Sequence, residues 1–263
     1  MFNNNNNRVI VALSGGKASA MCAKLTLEKY PKDKVILYFN DTRWEHPDLY
    51  RFLKDLSNYF NHEIIIDSDG RTPEELFYDM RFLGCNRVPL CSRVLKAERL
   101  QKFRQNGDIL VFGIGKEEEH RAIRLTQRYQ LVGVKTNIFN TLEFPLIENN
   151  ISNSDVTNFF NSTGIELPKL YQLGFKHNNC SGGCVRAGKK NWKLLFEKLP
   201  DVYIDRERVE REFRAWIKKD VSFFKDETLE SFRKKIENNE LSSYYNTPDD
   251  EPFECVGVCD TLA

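Results

Sequence analysis

Arg8-Val-Ile-Val-Ala-Leu13-Ser14-Gly15-Gly16-Lys17-Ala18-Ser19-Ala20 is the stretch whose reading decides the fold. Val9 to Leu13 form an apolar run with the length of a buried strand. The run stops at Ser14-Gly15-Gly16-Lys17, and a helical pattern begins near Ala18 and carries on to about Tyr30. A strand that turns through glycines into a helix leaves backbone N–H groups pointing out of the helix N-terminus, where a phosphate can sit. Gly15 and Gly16 let backbone approach an oxyanion, Ser14 and Ser19 add hydroxyls, and Lys17 adds positive charge. The spacing is not that of Walker A, which has four residues between its first glycine and Gly-Lys-Ser/Thr. It is the shorter Ser-Gly-Gly-Lys-x-Ser form; the bland alternative is an ordinary tight βα turn.

Outward from that loop, strand-like runs recur at Val35–Phe39, Glu63–Ile66 and Ile109–Ile114. Helical stretches lie between them, roughly Ser19–Tyr30, Pro47–Phe60, Thr72–Leu83 and Ser92–Gln105. This alternation predicts an α/β fold with a doubly wound, mainly parallel sheet. The pattern changes near Phe144-Pro145-Leu146, which divides the chain into a nucleotide-binding α/β domain (8–150) and a helical, cysteine-containing C-terminal region (151–263). Within the latter, Asn153–Ser162 reads as a polar helix and Lys189–Glu237 as a charged helical pair packed on one face. Ligands of open parallel sheets bind beyond the carboxyl ends of the strands. The second strand leads there into Asn40-Asp41-Thr42-Arg43-Trp44-Glu45-His46-Pro47, and the fourth ends at Gly113, followed by Glu118, His120 and Arg121. Together with the first loop they make an anionic-nucleotide site; singly, each could be a solvated loop.

With 263 residues, 41% hydrophobic and 29% charged, the chain reads as a soluble globular protein. A formal net charge of +1 gives no global attraction to nucleic acid or to an anionic membrane. No apolar run has transmembrane length and no export signal is evident, so seven cysteines argue for reduced thiols and a cytoplasmic location.

Cys180-Ser-Gly-Gly-Cys184 and Cys255-Val-Gly-Val-Cys259 are two C-x3-C pairs with glycine between the thiols. Together they could make a four-cysteine zinc site, hold an iron–sulfur cluster, or leave the tail pair free for redox turnover. Burial as small hydrophobes is the fourth reading. Cys91, ahead of a helix that carries Lys96, is an alternative ligand or a reactive thiolate, and Cys22 lies inside the first helix. His46 and His120 lie in rim loops within reach of a substrate, whereas His62 beside a strand reads as structural. Arg186, Lys189, Lys190 and Lys193 beside Trp192 could meet a phosphate backbone or form a solvated helix face.

Taken together these residues resemble the adenine nucleotide alpha-hydrolases, also called PP-loop ATP pyrophosphatases, and within them the phosphoadenosine phosphosulfate (PAPS) reductase-like branch. The loop is similar to that group's Ser-Gly-Gly-Lys-Asp-Ser. Tyr38 to Pro47 is similar to its Phe-x-Asp/Asn-Thr-Gly-x-Glu-x-Pro block, and Cys91 to Lys96 to its Cys-x-x-x-Leu/Val-Lys element. Gly113 to Arg124 is similar to its Gly-x-x-x-x-Glu-x-x-Arg element, and Glu143-Phe-Pro-Leu146 leading to Cys180 to its second half. The resemblance implies that Ser14, Gly15, Gly16, Lys17 and Ser19 hold phosphate, with Asp41, Thr42, Gly113 and Arg121 at the nucleotide. Cys91, Cys180 and Cys184 fall near where relatives carry an iron–sulfur cluster. Glu254-Cys255 is similar to the reductases' Glu-Cys-Gly, whose cysteine attacks the sulfonyl sulfur and is later released by a small dithiol protein. Two departures stand out: Ala18 replaces the loop aspartate, and Val256 follows Cys255 where the reductases have glycine.

The resemblance therefore implies an enzyme with ATP or adenine sulfonucleotide chemistry, linked to sulfur transfer or modification of tRNA or DNA, with magnesium in an ATP role. Lys17 would be catalytic through charge on the phosphates. One alternative is a sulfonucleotide reductase with Cys255 as nucleophile. Another is a non-catalytic nucleotide sensor or nucleic-acid-associated module with a structural metal site of Cys180, Cys184, Cys255 and Cys259.

Overall fold

Five parallel strands carry the molecule: β1 (Val9–Leu13), β2 (Val35–Asp41), β3 (Ile64–Ser68), β4 (Ile109–Phe112) and β5 (Thr141–Glu143), in the order β3-β2-β1-β4-β5. The computed structural model describes residues 7–85 and 87–246. All five residues of β1 are buried because it pairs on one side with β2, Leu13 opposite Phe39, and on the other with β4, Ala12 opposite Phe112. A central parallel strand covered on both faces has no polar side, and so reads as an unbroken apolar run. The α/β architecture matches the expectation from sequence.

Alternate side chains of β1 serve opposite faces. Val9, Val11 and Leu13 join one core with α1 (Lys17–Lys29) and α2 (Pro47–Phe60). Ile10 and Ala12 join the other with α5 (Glu119–Thr136), which contributes Leu125 and Tyr129. Pro47 opens α2 behind His46, and α3 (Pro73–Met80) opens with a reciprocal Thr72–Glu75 capping box. α3 stops at Arg81, in the left-handed region, short of the expected Leu83. Helix 92–105 differs in kind: Ser92–Ala97 form a π-helical turn before α4 (Glu98–Phe103).

After β5 come α6 (Pro145–Glu148), α7 (Asn153–Thr163) and α8 (Lys169–Gln172). α7 packs Val156 and Phe160 on the α1–α2 side of the sheet. The expected helical pair is instead three helices, α9 (Lys189–Lys198), α10 (Pro200–Ile217) and α11 (Leu229–Glu237), since Pro200 cannot continue α9 and starts α10. Their apolar core of Trp192, Tyr203, Phe213 and Phe232 takes in Trp44, Phe77, Leu95 and Cys180 as well. No helix among the described residues is long and apolar enough to cross a membrane.

Candidate nucleotide site

The strand order reverses direction between β1 and β4, and the crevice at that switch point is where α/β sheets hold ligands. The β1–α1 loop lies there. Gly15 sits at φ +77°, a conformation that glycine adopts without steric cost. The two serines knit the turn: Ser14 N–H donates to Ser19 Oγ at 3.1 Å, and Ser19 Oγ donates to the Gly16 carbonyl at 2.9 Å. Ser19 is buried, so its hydroxyl shapes the loop from within. Gly16 caps α1 without any side-chain hydrogen bond, and the first turn holds no acidic residue. The electropositive end of α1 therefore has no acidic side chain in its own first turn, with Lys17 beside it.

β4 approaches the loop closely. A β-carbon on Gly113 would stand 2.8 Å from Ser19 Cα and 2.9 Å from Ser19 N, so only glycine fits where β4 leaves the sheet. A cavity of about 590 Å³ opens over this junction. Ser14, Gly16, Lys17, Ala18 and Gly113 form its floor, and Asn153, Tyr171, Phe175, Lys176, His177, Asn178 and Asn179 form the opposite wall. Among the described residues no carboxylate lines it. Asn178 ties the wall to the loop by donating to the Gly15 carbonyl at 2.9 Å.

Four of the sequence-derived nucleotide residues, Ser14, Gly16, Lys17 and Gly113, thus line one cavity, with Gly15 and Ser19 built into its floor. Asp41, Thr42 and Arg121 do not line it. Asp41 accepts from Tyr50 Oη (2.9 Å) and Arg43 N–H (2.7 Å), Thr42 donates to Glu45 (2.9 Å), and Arg121 pairs with Glu118. The wall residues were missed from sequence because they follow the β1–α1 loop by more than a hundred positions, most of them inside a turn-rich segment without a motif. His46 accepts from Asp48 N–H at 3.1 Å as the cap of α2, and burial lowers its pKa, so it serves helix initiation. His62 contacts the Val35 carbonyl at 2.9 Å, a structural role as expected.

Behind the loop lies a buried polar knot centred on Glu45. Its Oε1 accepts from Thr42 and lies 3.4 Å from Lys96 Nζ, with both side chains at most 3% exposed; its Oε2 accepts from Cys180 N–H at 2.7 Å. Ser181 Oγ donates to the Trp44 carbonyl at 3.0 Å, and the Arg206 guanidinium stacks 3.6 Å over the Trp44 ring. Cys91, Cys180 and Cys184 are all buried in this region, as is Cys22 within α1. A contact between the Cys180 and Cys184 thiols, reinforced by burial, pushes the Cys180 pKa well above its ordinary value.

Among the described residues no group of three or more His, Cys, Asp or Glu side chains could hold a metal ion. Cys91, Cys180 and Cys184 by themselves therefore do not fit a zinc or iron–sulfur site. Cys255 and Cys259 lie outside the described residues. The basic stretch is largely neutralised: Lys189 pairs with Asp226 and Glu227, Lys193 pairs with Glu197, and Trp192 is fully buried and cannot stack on a base.

No match emerges among curated proteins or among solved structures. The model of the phosphoadenosine phosphosulfate reductase domain matches residues 8–187, from the first residue of the glycine-loop segment through the Cys180–Cys184 turn and so across both walls of the cavity. With the parallel sheet and the loop at its switch point, this places the chain in the phosphoadenosine phosphosulfate reductase domain family of the PP-loop, or adenine nucleotide alpha-hydrolase, superfamily.

Proposed function

We propose that this protein is an enzyme that takes an adenine sulfonucleotide by its anionic end in the cavity above the β1–α1 loop. The observation that carries this reading is the lining among the described residues: Lys17, Lys176 and His177 beside the N-terminus of α1, whose first amide meets the neutral Tyr171 hydroxyl, and no carboxylate. Magnesium that accompanies ATP is held through one or two protein carboxylates together with the phosphates. With Ala18 in the loop and no acid in the first turn, such a ligand set is missing from the floor, whereas a phosphosulfate needs only amides and cations. Lys17 supports the transition state by holding charge on the leaving phosphate. The chemical step assigned by resemblance is attack of the Cys255 thiolate on the sulfonyl sulfur. The S–O bond breaks, the nucleotide leaves with the electron pair, and the thiosulfonate is reduced to sulfite by an external dithiol.

The test is isothermal titration with phosphoadenosine phosphosulfate, with and without a magnesium chelator, beside an assay for sulfite. Binding that survives the chelator is expected, and Lys17→Ala should weaken it by about tenfold to a hundredfold, the range of a charge-assisted contact. Sulfite release lost in Cys255→Ser would complete the reductase reading. A second reading, pyrophosphate release from ATP, draws on the same Ser-Gly-Gly-Lys-x-Ser loop. Magnesium-dependent pyrophosphate release without sulfite would replace the first reading with the second.

A further inference from the structure

Tyr171 stands where a ligand oxygen would stand. Its hydroxyl accepts the Lys17 N–H at 3.2 Å and lies 2.9 Å from the point a β-carbon on Gly16 would occupy. The Lys17 ammonium is 5.7 Å from the centre of its ring. One phenol thus covers both the first amide of α1 and the loop cation, the two groups that a bound phosphate needs. A hydroxyl oxygen on a helix-end N–H is the neutral counterpart of the anion that the helix dipole favours there.

The segment that carries Tyr171 is anchored on both sides and its neighbours Leu170 and Phe175 are buried, which leaves rotation of the half-buried Tyr171 side chain as the way to clear the loop. On one side Asp48 Oδ2 accepts the Lys169 N–H at 2.7 Å, and Arg51 donates to the Glu166 carbonyl at 3.1 Å. On the other, Asn178 holds Gly15. Between these ties lie the short helix α8 and Gly174 at φ +94°, and Lys176 is exposed.

We propose that Tyr171 is a gate on the loop, a built-in occupant that an anionic ligand must displace, and that it selects for pyrophosphate-like groups over single small anions. This rests on the reading that the loop binds phosphate or phosphosulfate. A ligand that takes only the Lys17 amide exchanges one hydrogen bond for another and gains little. One that spans several amides and the ammonium at once gains charge-assisted bonds that the phenol cannot match.

The experiment measures binding of inorganic pyrophosphate and of sulfate to the full chain and to Tyr171→Phe, with the Lys17 amide followed by NMR. Removing the hydroxyl should shift the Lys17 amide resonance in the ligand-free protein, a change that general loosening of the fold would not confine to that residue. It should tighten pyrophosphate binding about fivefold, the size of one neutral hydrogen bond, and tighten sulfate binding by a larger factor, narrowing the preference between them; equal factors would overturn the selectivity. Circular dichroism and thermal unfolding establish that the variant is folded; should it not be, Tyr171→Leu replaces it. Wild-type binding that the variant leaves unchanged or weakens overturns the gate alone. Absence of pyrophosphate binding in both proteins overturns the gate together with the phosphate reading of the loop.

Discussion

Glu45 shows how much one side chain can organise. It sits in a block that reads from sequence as a rim loop, yet its carboxylate is buried between Thr42, Lys96 and the Cys180 backbone. It joins three segments that are far apart along the chain and holds the cavity wall against the loop. Replacing one partner of a buried ion pair strands the other charge without solvation. Glu45→Gln should therefore cost about 3–5 kcal/mol in urea-induced unfolding, and a loss under 1 kcal/mol would mean that the Lys96 ammonium reaches water. At the same scale Lys17 and Tyr171 make opposite predictions for one ligand: loss of the lysine weakens pyrophosphate or phosphosulfate binding, and loss of the phenol hydroxyl strengthens it.

Among the elements, the contact between β4 and the first turn of α1 decides the cavity floor. Gly113 is part of a motif from sequence, but its geometric role is closeness, since a methyl group there would overlap Ser19 backbone. Backbone cannot move aside as a flexible side chain can, so Gly113→Ala should cost about 1–3 kcal/mol and weaken nucleotide binding with it. Thermal unfolding and titration together check this; a stable variant with intact binding would show that α1 can slide along the sheet. β1, β2 and β4 were legible because central parallel strands are apolar throughout. β5 was not, being a three-residue edge strand whose Thr141 is exposed, too short to express any period. The π-helical turn at Ser92–Ala97 was equally silent, because its local sequence is compatible with an ordinary helix and the wider turn buries Ser92 and Lys96.

Across the whole molecule, the helices after the cavity share a core with Trp44, Phe77 and Leu95, and an unusual carboxylate sits at its edge. Glu210 is 1% exposed and accepts the N–H groups of Phe223 and Leu229, each at 2.7 Å, so it closes the connection between α10 and α11. Burial pushes its pKa up to about 7, against the downward pull of those two hydrogen bonds. Between the ordinary value of 4.5 and about 7, the folded protein keeps a proton that the unfolded chain has released. This contribution to stability is full below pH 4.5 and is lost as the pH rises through 7. Glu210→Gln cannot titrate and loses one acceptor, so wild type should exceed it in unfolding free energy by a margin that shrinks from pH 5 to pH 8. A margin that widens over that range would mean that the carboxylate is charged throughout in the fold.

The sequence by itself determined the α/β class, the loop at the end of β1 and the family, because all three rest on local patterns: an apolar run, a glycine turn, a charged residue at a fixed offset. Only the tertiary structure decided what faces that loop. Tyr171, Lys176, His177 and Asn178 reach it by chain crossing, and Asp41, Thr42 and Arg121 are drawn away into pairs with nearby partners. Spacing along a chain reports which side of an element a residue occupies. Which distant segment packs opposite depends on the burial of apolar surface by the molecule as a whole, and that carries no local signature.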